Sequence, residues 1–471
     1  MSLVQGYSSD SDFEGIPSPQ GTLAVTTSGN MPTKNNDQTT TSFPSSSITK
    51  QQIDESAFIL STNANKKRHY FKKSELKAKK QKRDGKGPWG SWSSSSDDEV
   101  SASNISSAFE FKEDSVDDLD PELSERETSK FYGKSLVDYQ GRGFLQPPIE
   151  EDIDFHKAPL SFQCFLPKKV IYTFKGHVNG TTKLKFLPET GHLFLSGGND
   201  NIINIWDMYH ERTLLRDYRG HRKAVRDINF NSDGTEFLSV SFDQTLKVWD
   251  TETGKVKSRL KWHSVPNCAT YHPTNNNEYI VGLSNSEIRH YDSRVSNKEG
   301  LIQTYNHHLS SIISLKYFPD GSKFISSSED KTVRIWENQV NIPIKQISDT
   351  SQYSMPYLDI HPEQHYFSAQ SMDNAIYSFS MKPKYKKNLK KVFRGHLCAG
   401  FGINFGFSPD GQYVVSGDSR GSVVVWDWKT TRTLKRFEVP DGKPVTTLAW
   451  HPQETSKMLC SGNGGKIYLF D

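Results

Sequence analysis

The 471-residue sequence predicts an all-β fold, seven four-stranded blades closed into a ring, preceded by a long and mostly disordered N-terminal region. Three observations predict it. Aromatic residues that end strand-like runs recur at a near-constant period after residue 165, polar residues recur in register with them, and the chain before them has no sustained apolar period.

The recurring aromatics are Trp206, Trp249, Tyr291, Trp336, Phe379, Trp426 and Phe470, separated by 43, 42, 45, 43, 47 and 44 residues. Short apolar runs between them alternate with PDG, GN and SD turns, the pattern of many short antiparallel strands. Seven copies at that spacing match a four-stranded sheet repeated around a circle, because a lone sheet of this kind leaves both faces bare until neighbours cover them.

The register extends beyond the aromatics. Six residues before each lie Asp200, Asp243, Asn285, Asp330, Asp373, Arg420 and Gly464, and ten before lie Ser196, Ser239, Val281, Ser326, Ala369, Ser416 and Cys460. A histidine stands 28 to 30 residues upstream in five copies, at His177, His221, His263, His308 and His396. These features resemble the WD40 repeat family, whose members fold as β-propellers. The resemblance implies a buried network in which aspartate closes a turn, histidine bonds to it, and serine and the indole N–H complete the chain. Complete sets are His177, Ser196, Asp200, Trp206; His221, Ser239, Asp243, Trp249; and His308, Ser326, Asp330, Trp336. A fourth, partial set is His396, Ser416 and Trp426, with Arg420 at the turn position.

The stretch SVSFDQTLKVWD, with His221 before it, superficially assembles the residue types of a hydrolase triad. An enzyme needs one nucleophile with its base and oxyanion hole, whereas this grouping recurs at blade spacing without a Gly-x-Ser-x-Gly elbow. The expectation is a scaffold with no catalytic residues. SGNGGKIYLF, residues 461–470, lacks phosphate-loop spacing and leads into a strand. His263, His272, His290, His361 and His365 are scattered, and the four cysteines form no C-x-x-C pair, so neither a metal nor a cofactor is expected.

Ring closure sets the expected boundaries: 1–165 for the largely disordered region and 166–471 for the propeller, with strand 169–174 supplying the outermost strand of the last blade. Residues 1–165 carry 19 Lys and Arg against 25 Asp and Glu, and residues 166–471 carry 39 against 30. The N-terminus lacks a basic start and apolar run, and no stretch reaches membrane-spanning length, which fits a soluble intracellular protein.

The N-terminal region is low in apolar residues, so it buries too little surface to offset its ordering entropy. Residues 66–86 hold eleven Lys or Arg against two acids. Their two clusters, with Lys66, Lys67 and Arg68 in one and Lys79, Lys80, Lys82 and Arg83 in the other, fit a nuclear localisation signal read by importin, an RNA-contacting arm, or a plain solvated charge run. Residues 97–154 are acidic, with seventeen acids against five bases. GPWGSW, residues 87–92, places Trp89 and Trp92 in polar sequence, as a docking motif would or as chance might leave them.

Outside the repeat core, VDYQGRGFLQPP (137–148), CFLPKKVIYTFKGH (164–177), SMPYLDIHPEQHYFSAQSMDN (354–374) and AWHPQETSK (449–457) are similar to the pre-mRNA-processing factor 17 family of spliceosomal WD40 proteins, and GPWGSW resembles that family's tail motif. The resemblance implies a nuclear, non-catalytic spliceosome component acting around the second transesterification, exon ligation, by binding spliceosomal proteins and the small nuclear RNA and pre-mRNA complex. An association with the cell cycle would follow indirectly through splicing. Trp89, Trp92, Tyr139 and Phe144 are the expected partner contacts of the tail. By resemblance to other WD40 domains, the residues just before each turn position reach one face, Phe242 and Met372 being the apolar ones. The rival readings are a substrate receptor of a ubiquitin ligase, which would want a helical adapter motif that residues 100–165 do not offer, and a chromatin-binding WD40 scaffold.

Overall fold

The computed structural model describes residues 127–137, 140–148, 153–295, 299–398 and 400–471, all within one compact unit. Trp89, Trp92, Tyr139, the basic segment 66–86, the GPWGSW motif and most of the acidic segment lie outside these residues. The described chain forms twenty-nine strands and no helix. Twenty-eight of them make seven antiparallel sheets of four, the blades of a propeller. Blade 1 runs through Thr181–Phe186, Leu193–Gly198, Ile202–Asp207 and Leu214–Arg219, and each later blade repeats that meander from the inner strand outward.

The aromatic repeat has a simple structural meaning. Each anchor lies on the third strand and pairs across the ladder with an apolar residue on the second: Phe194↔Trp206, Phe237↔Trp249, Tyr279↔Tyr291, Phe324↔Trp336, Phe367↔Phe379, Val414↔Trp426 and Met458↔Phe470. Five of these pairs stack, with centroids 5.1–6.2 Å apart. The anchor's other side is covered by the outer strand of the preceding blade. Phe174 meets Trp206 at 5.5 Å, Tyr218 meets Trp249 at 5.7 Å, Tyr305 meets Trp336 at 5.3 Å and Phe437 meets Phe470 at 5.4 Å, all nearer edge-on than stacked. A Cβ on Gly176 would fall 2.1 Å from the Trp206 ring, so the residue before the blade-1 histidine has to be glycine.

Blade 7 takes its outermost strand from the front of the ring. Val170–Lys175 pairs antiparallel with Lys466–Phe470, and the amides of Lys168 and Lys169 both donate to the Asp471 carbonyl. Closure of this kind leaves no unmatched inner blade edge.

Residues 127–165 depart from the expected disorder, and the boundary at 165/166 falls inside ordered chain. Thr128–Phe131 pairs with Leu214–Arg219 and makes blade 1 five-stranded. Just before it, Glu127 crosses to blade 2, where Lys247 Nζ lies 2.5 Å from Oε1 and Arg259 Nε 2.8 Å from both carboxylate oxygens. Phe155 packs among Tyr209, Met208 and Phe174, the Cys164 amide donates to Asp410 at 2.7 Å, and the Phe165 amide to the Thr455 carbonyl. The reason sequence reading misses this segment is physical: its attachment comes from backbone ladder bonds and a buried ion pair, neither of which needs an apolar period.

Burial pulls the Lys247 ammonium below its usual range, and Glu127 opposes that pull. Glu127→Ala is therefore expected to lower stability by about 3 kcal/mol, the scale for removing one partner of a buried pair, read as a lower urea midpoint at unchanged m-value. Deleting residues 169–175 opens the ring, and the expected result is a lower melting temperature with loss of a single cooperative transition; an unaltered melt would rule out this role for the strand.

Candidate docking face and its supporting networks

The histidine sets sit at the hairpins between second and third strands. In blade 1, His177 Nδ1 lies 3.0 Å from Asp200 and Nε2 2.7 Å from Ser196 Oγ, to which Trp206 Nε1 donates at 2.8 Å. Blade 2 repeats these contacts at 3.0, 2.7 and 2.8 Å through His221, Asp243, Ser239 and Trp249, and blade 4 at 2.8, 2.7 and 2.8 Å through His308, Asp330, Ser326 and Trp336. The directions are self-consistent for a neutral imidazole. Nδ1–H donates to the carboxylate, Nε2 accepts the serine hydroxyl, and the serine oxygen accepts the indole N–H.

Burial alone would raise the Asp243 and Asp330 carboxyls. Bonds from the histidines, from Thr245 and Thr332, and from backbone amides outweigh it and hold both well below the usual carboxylate range. Burial likewise keeps His308 below the ordinary imidazole range, so the neutral form is favoured. These serines are 0% exposed. Their hydroxyls are committed on both sides, which leaves no nucleophile for a substrate.

Blade 6 differs from the expected arrangement. His396, Ser416 and Trp426 do not form a chain: Trp426 Nε1 donates to the Arg394 carbonyl, Ser416 Oγ to the Gly417 carbonyl, and Gln370 Nε2 to His396 Nε2. The cause is the missing aspartate at Arg420. The local carboxylate stands two residues earlier, where buried Asp418 is taken by Arg436 at 3.0 Å and by Ser422. His396 Nδ1 is buried without a partner, and burial holds this imidazole down at about 4.

These networks brace one end of the propeller. The residue before each turn position donates its amide to the segment entering the inner strand: Asn199 to Gly180, Phe242 to Ala224, Ser284 to Val265, Glu329 to Ser311, Met372 to Ser354, Ser419 to Leu397 and Asn463 to Pro444. That bond, repeated seven times, fixes a ring of side chains around the channel mouth. Phe242 is exposed beneath the Arg226 guanidinium at 4.8 Å, and Met372 is half-buried. Sequence reading missed Val178 and Leu309, which are 84% and 85% exposed and whose amides donate to the turn aspartates. The signal was available, since both directly follow the repeat histidine. Arg222 and Lys223 add exposed cations on the same face.

The other end is partly occupied by the chain itself. Phe144, expected as a partner contact, is half-buried and packs on Phe131 at 5.7 Å, while His192 Nε2 donates to its carbonyl at 3.2 Å. Beside it a cavity of about 450 Å³ opens between residues 131–148 and blade 1. Among the described residues, the face ringed by Asn199, Phe242 and Met372 carries no part of this extension.

Ser239→Ala strands a buried imidazole nitrogen and an indole N–H together, so the expected cost is about 2 kcal/mol. Ser416→Ala loses one local bond and should cost less than half as much; equal urea midpoints for the two variants would contradict these networks. His192, His396 and His451 are held by burial at about 4, 4 and 3. A group whose folded pKa is depressed stabilises the fold above its unfolded value and loses that contribution as protons bind. The melting temperature is therefore expected to fall on acidification from pH 6.5 towards 4.

The WD domain, G-beta repeat family matches residues 168–207, 212–250, 299–337 and 387–427, within blades 1, 2, 4 and 6 and the strands that flank them. Pre-mRNA-processing factor 17 of Saccharomyces cerevisiae is 58% identical over 420 residues, which span 87% of this chain and 91% of that protein. The Homo sapiens protein of the same name is 39% identical over 340 residues, covering 72% of this chain and 58% of its own length. WD repeat-containing protein 25 of Mus musculus is 26% identical over 337 residues, 69% of this chain and 62% of that protein. With an identity of 58% across nine tenths of the yeast protein, this chain belongs to the pre-mRNA-processing factor 17 family of WD-repeat proteins.

Proposed function

We propose that the chain serves in pre-mRNA splicing in the nucleus, as a non-catalytic scaffold that acts around exon ligation by holding spliceosomal proteins and the small nuclear RNA and pre-mRNA complex together. Family membership carries this reading. The propeller supplies a rigid body with one open face, where exposed Val178, Phe242 and Leu309 stand beside Arg222 and Lys223. Apolar anchors among cations suit a protein surface or a phosphate-bearing complex. The seven backbone clamps and the histidine networks hold those side chains in place before a partner arrives, which lowers the ordering cost of binding. The basic clusters of residues 66–86 are the import signal in this reading, with importin as their partner, and Trp89 and Trp92 are anchors for a spliceosomal protein.

Isolating the tagged chain from nuclear extract is expected to recover U2, U5 and U6 small nuclear RNAs with lariat intermediate. Phe242→Asp combined with Leu309→Asp should reduce that recovery at least fivefold without changing the melting temperature, because both side chains are exposed. Recovery of cullin or histone proteins in place of those RNAs would overturn the reading.

A further inference from the structure

The inner strands project side chains into the central channel in layers. In one layer Lys183 of blade 1 lies 3.6 Å from Asp227 of blade 2, and its ammonium is 4.8 Å from the ring centroid of Tyr357 in blade 5. A single side chain thus reaches across the lumen. Two residues further along the same strands lie Lys185 of blade 1, Lys316 of blade 4, Asp359 of blade 5, Gly406 of blade 6 and Ala449 of blade 7.

This second layer is not charge-balanced. Lys316 Nζ pairs with Asp359 at 2.9 Å and keeps 35% of its side-chain surface open to the lumen. Lys185 has no carboxylate within ion-pair distance among the described residues. Enclosure, then the Lys316 and Lys183 ammoniums, bring its pKa down to about 8, against a smaller opposing pull from Asp227 and Asp359. Lys316 stands on the far side of the ring from blade 1, so its effect on Lys185 requires both side chains to point inward. Next to Lys185 the wall is recessed, because blades 6 and 7 contribute only Gly406 and Ala449. A Cβ on Gly406 would meet one atom, Leu448 Cδ1 at 3.4 Å, and nothing from across the channel.

An enclosed ammonium with no counter-charge beside a recess is the physical specification of an anion site. We propose that the channel binds a phosphate-sized oxyanion in the recess formed by Gly406 and Ala449, with Lys185 as its principal cation and Lys316 as a second. Two lysines against one aspartate leave this layer a formal charge of one, which suits a singly charged oxyanion. The group is either free inorganic phosphate or the phosphomonoester end of a larger ligand. The site is independent of the splicing role and of the open face.

The test uses the full chain, with sodium phosphate and glycerol 3-phosphate compared against sodium chloride at equal ionic strength. Phosphate is expected to raise the melting temperature above the chloride control. In calorimetry at pH 8 its binding should take up about half a proton, since an ammonium that titrates near 8 becomes fully charged once paired. Lys185→Met should fold at least as stably as the wild type in phosphate-free buffer, bind phosphate at least tenfold more weakly, and lose the proton uptake. Gly406→Val keeps the charge and fills the recess, so it should also weaken binding, and it decides the matter if Lys185→Met does not fold. Glycerol 3-phosphate binding as tightly as phosphate identifies a phosphomonoester as the ligand, and preference for phosphate identifies the free ion. A phosphate melt equal to the chloride melt, or wild-type phosphate affinity in Lys185→Met, overturns the proposal.

Discussion

The wedge of each third-strand aromatic between its own blade and the outer strand of the blade before it is the contact on which the ring depends. A four-stranded sheet has two apolar faces and no way to cover them alone. Here Trp206, Trp249, Trp336 and their equivalents solve this locally, and the same ring that stacks on a cross-strand neighbour within the blade meets an aromatic edge from the blade before. Because the wedge always points towards the preceding blade, blade 1 needs a predecessor as well. Val170–Lys175, placed in blade 7, brings Phe174 to fill that position. The shape of the termini therefore follows from the shape of one side-chain contact.

The histidine networks use the same indoles for a different end. Where the wedge is apolar, the indole N–H is the one polar group it buries, and Ser196, Ser239 and Ser326 accept it. The serine then passes a hydrogen bond through histidine to an aspartate that also holds its turn. Packing between blades is thereby coupled to the conformation of the hairpins that build the open face. Where the anchor is tyrosine or phenylalanine the coupling takes another form, as in blade 3, where Trp262 Nε1 donates to the Tyr291 hydroxyl at 3.1 Å.

What was legible in the sequence was what repeats. Period and register place all seven third-strand anchors and the complete sets of blades 1, 2 and 4, because every copy faces the same steric and hydrogen-bonding demands. The apolar partner twelve residues before each anchor, from Phe194 to Met458, was just as regular, but it is varied in identity, and a pattern of Phe, Tyr, Val and Met does not announce itself as one position. Blade 6 misled because residue type matched while geometry did not: Asp418 sits two places from where the network needs it, and Arg436 claims it. The extension after Glu127 was illegible for a deeper reason. A single added strand and one buried carboxylate recur nowhere else in the described chain, so no periodicity exposes them, and their partners Lys247 and Arg259 lie more than a hundred residues downstream.

The shared last blade also sets a schedule for biosynthesis. Val170–Lys175 leaves the ribosome before any complete blade, yet its partner Lys466–Phe470 follows only after 290 intervening residues. At 5–20 residues per second that is roughly 15–60 s during which the strand has no ladder to join and the first blade no aromatic behind Trp206. Six blades can assemble in order as they emerge, but the ring becomes a ring only at the end of translation. The nascent protein is thus an open solenoid with two unsatisfied faces, and the period before closure is when it most needs a chaperone's protection from other chains.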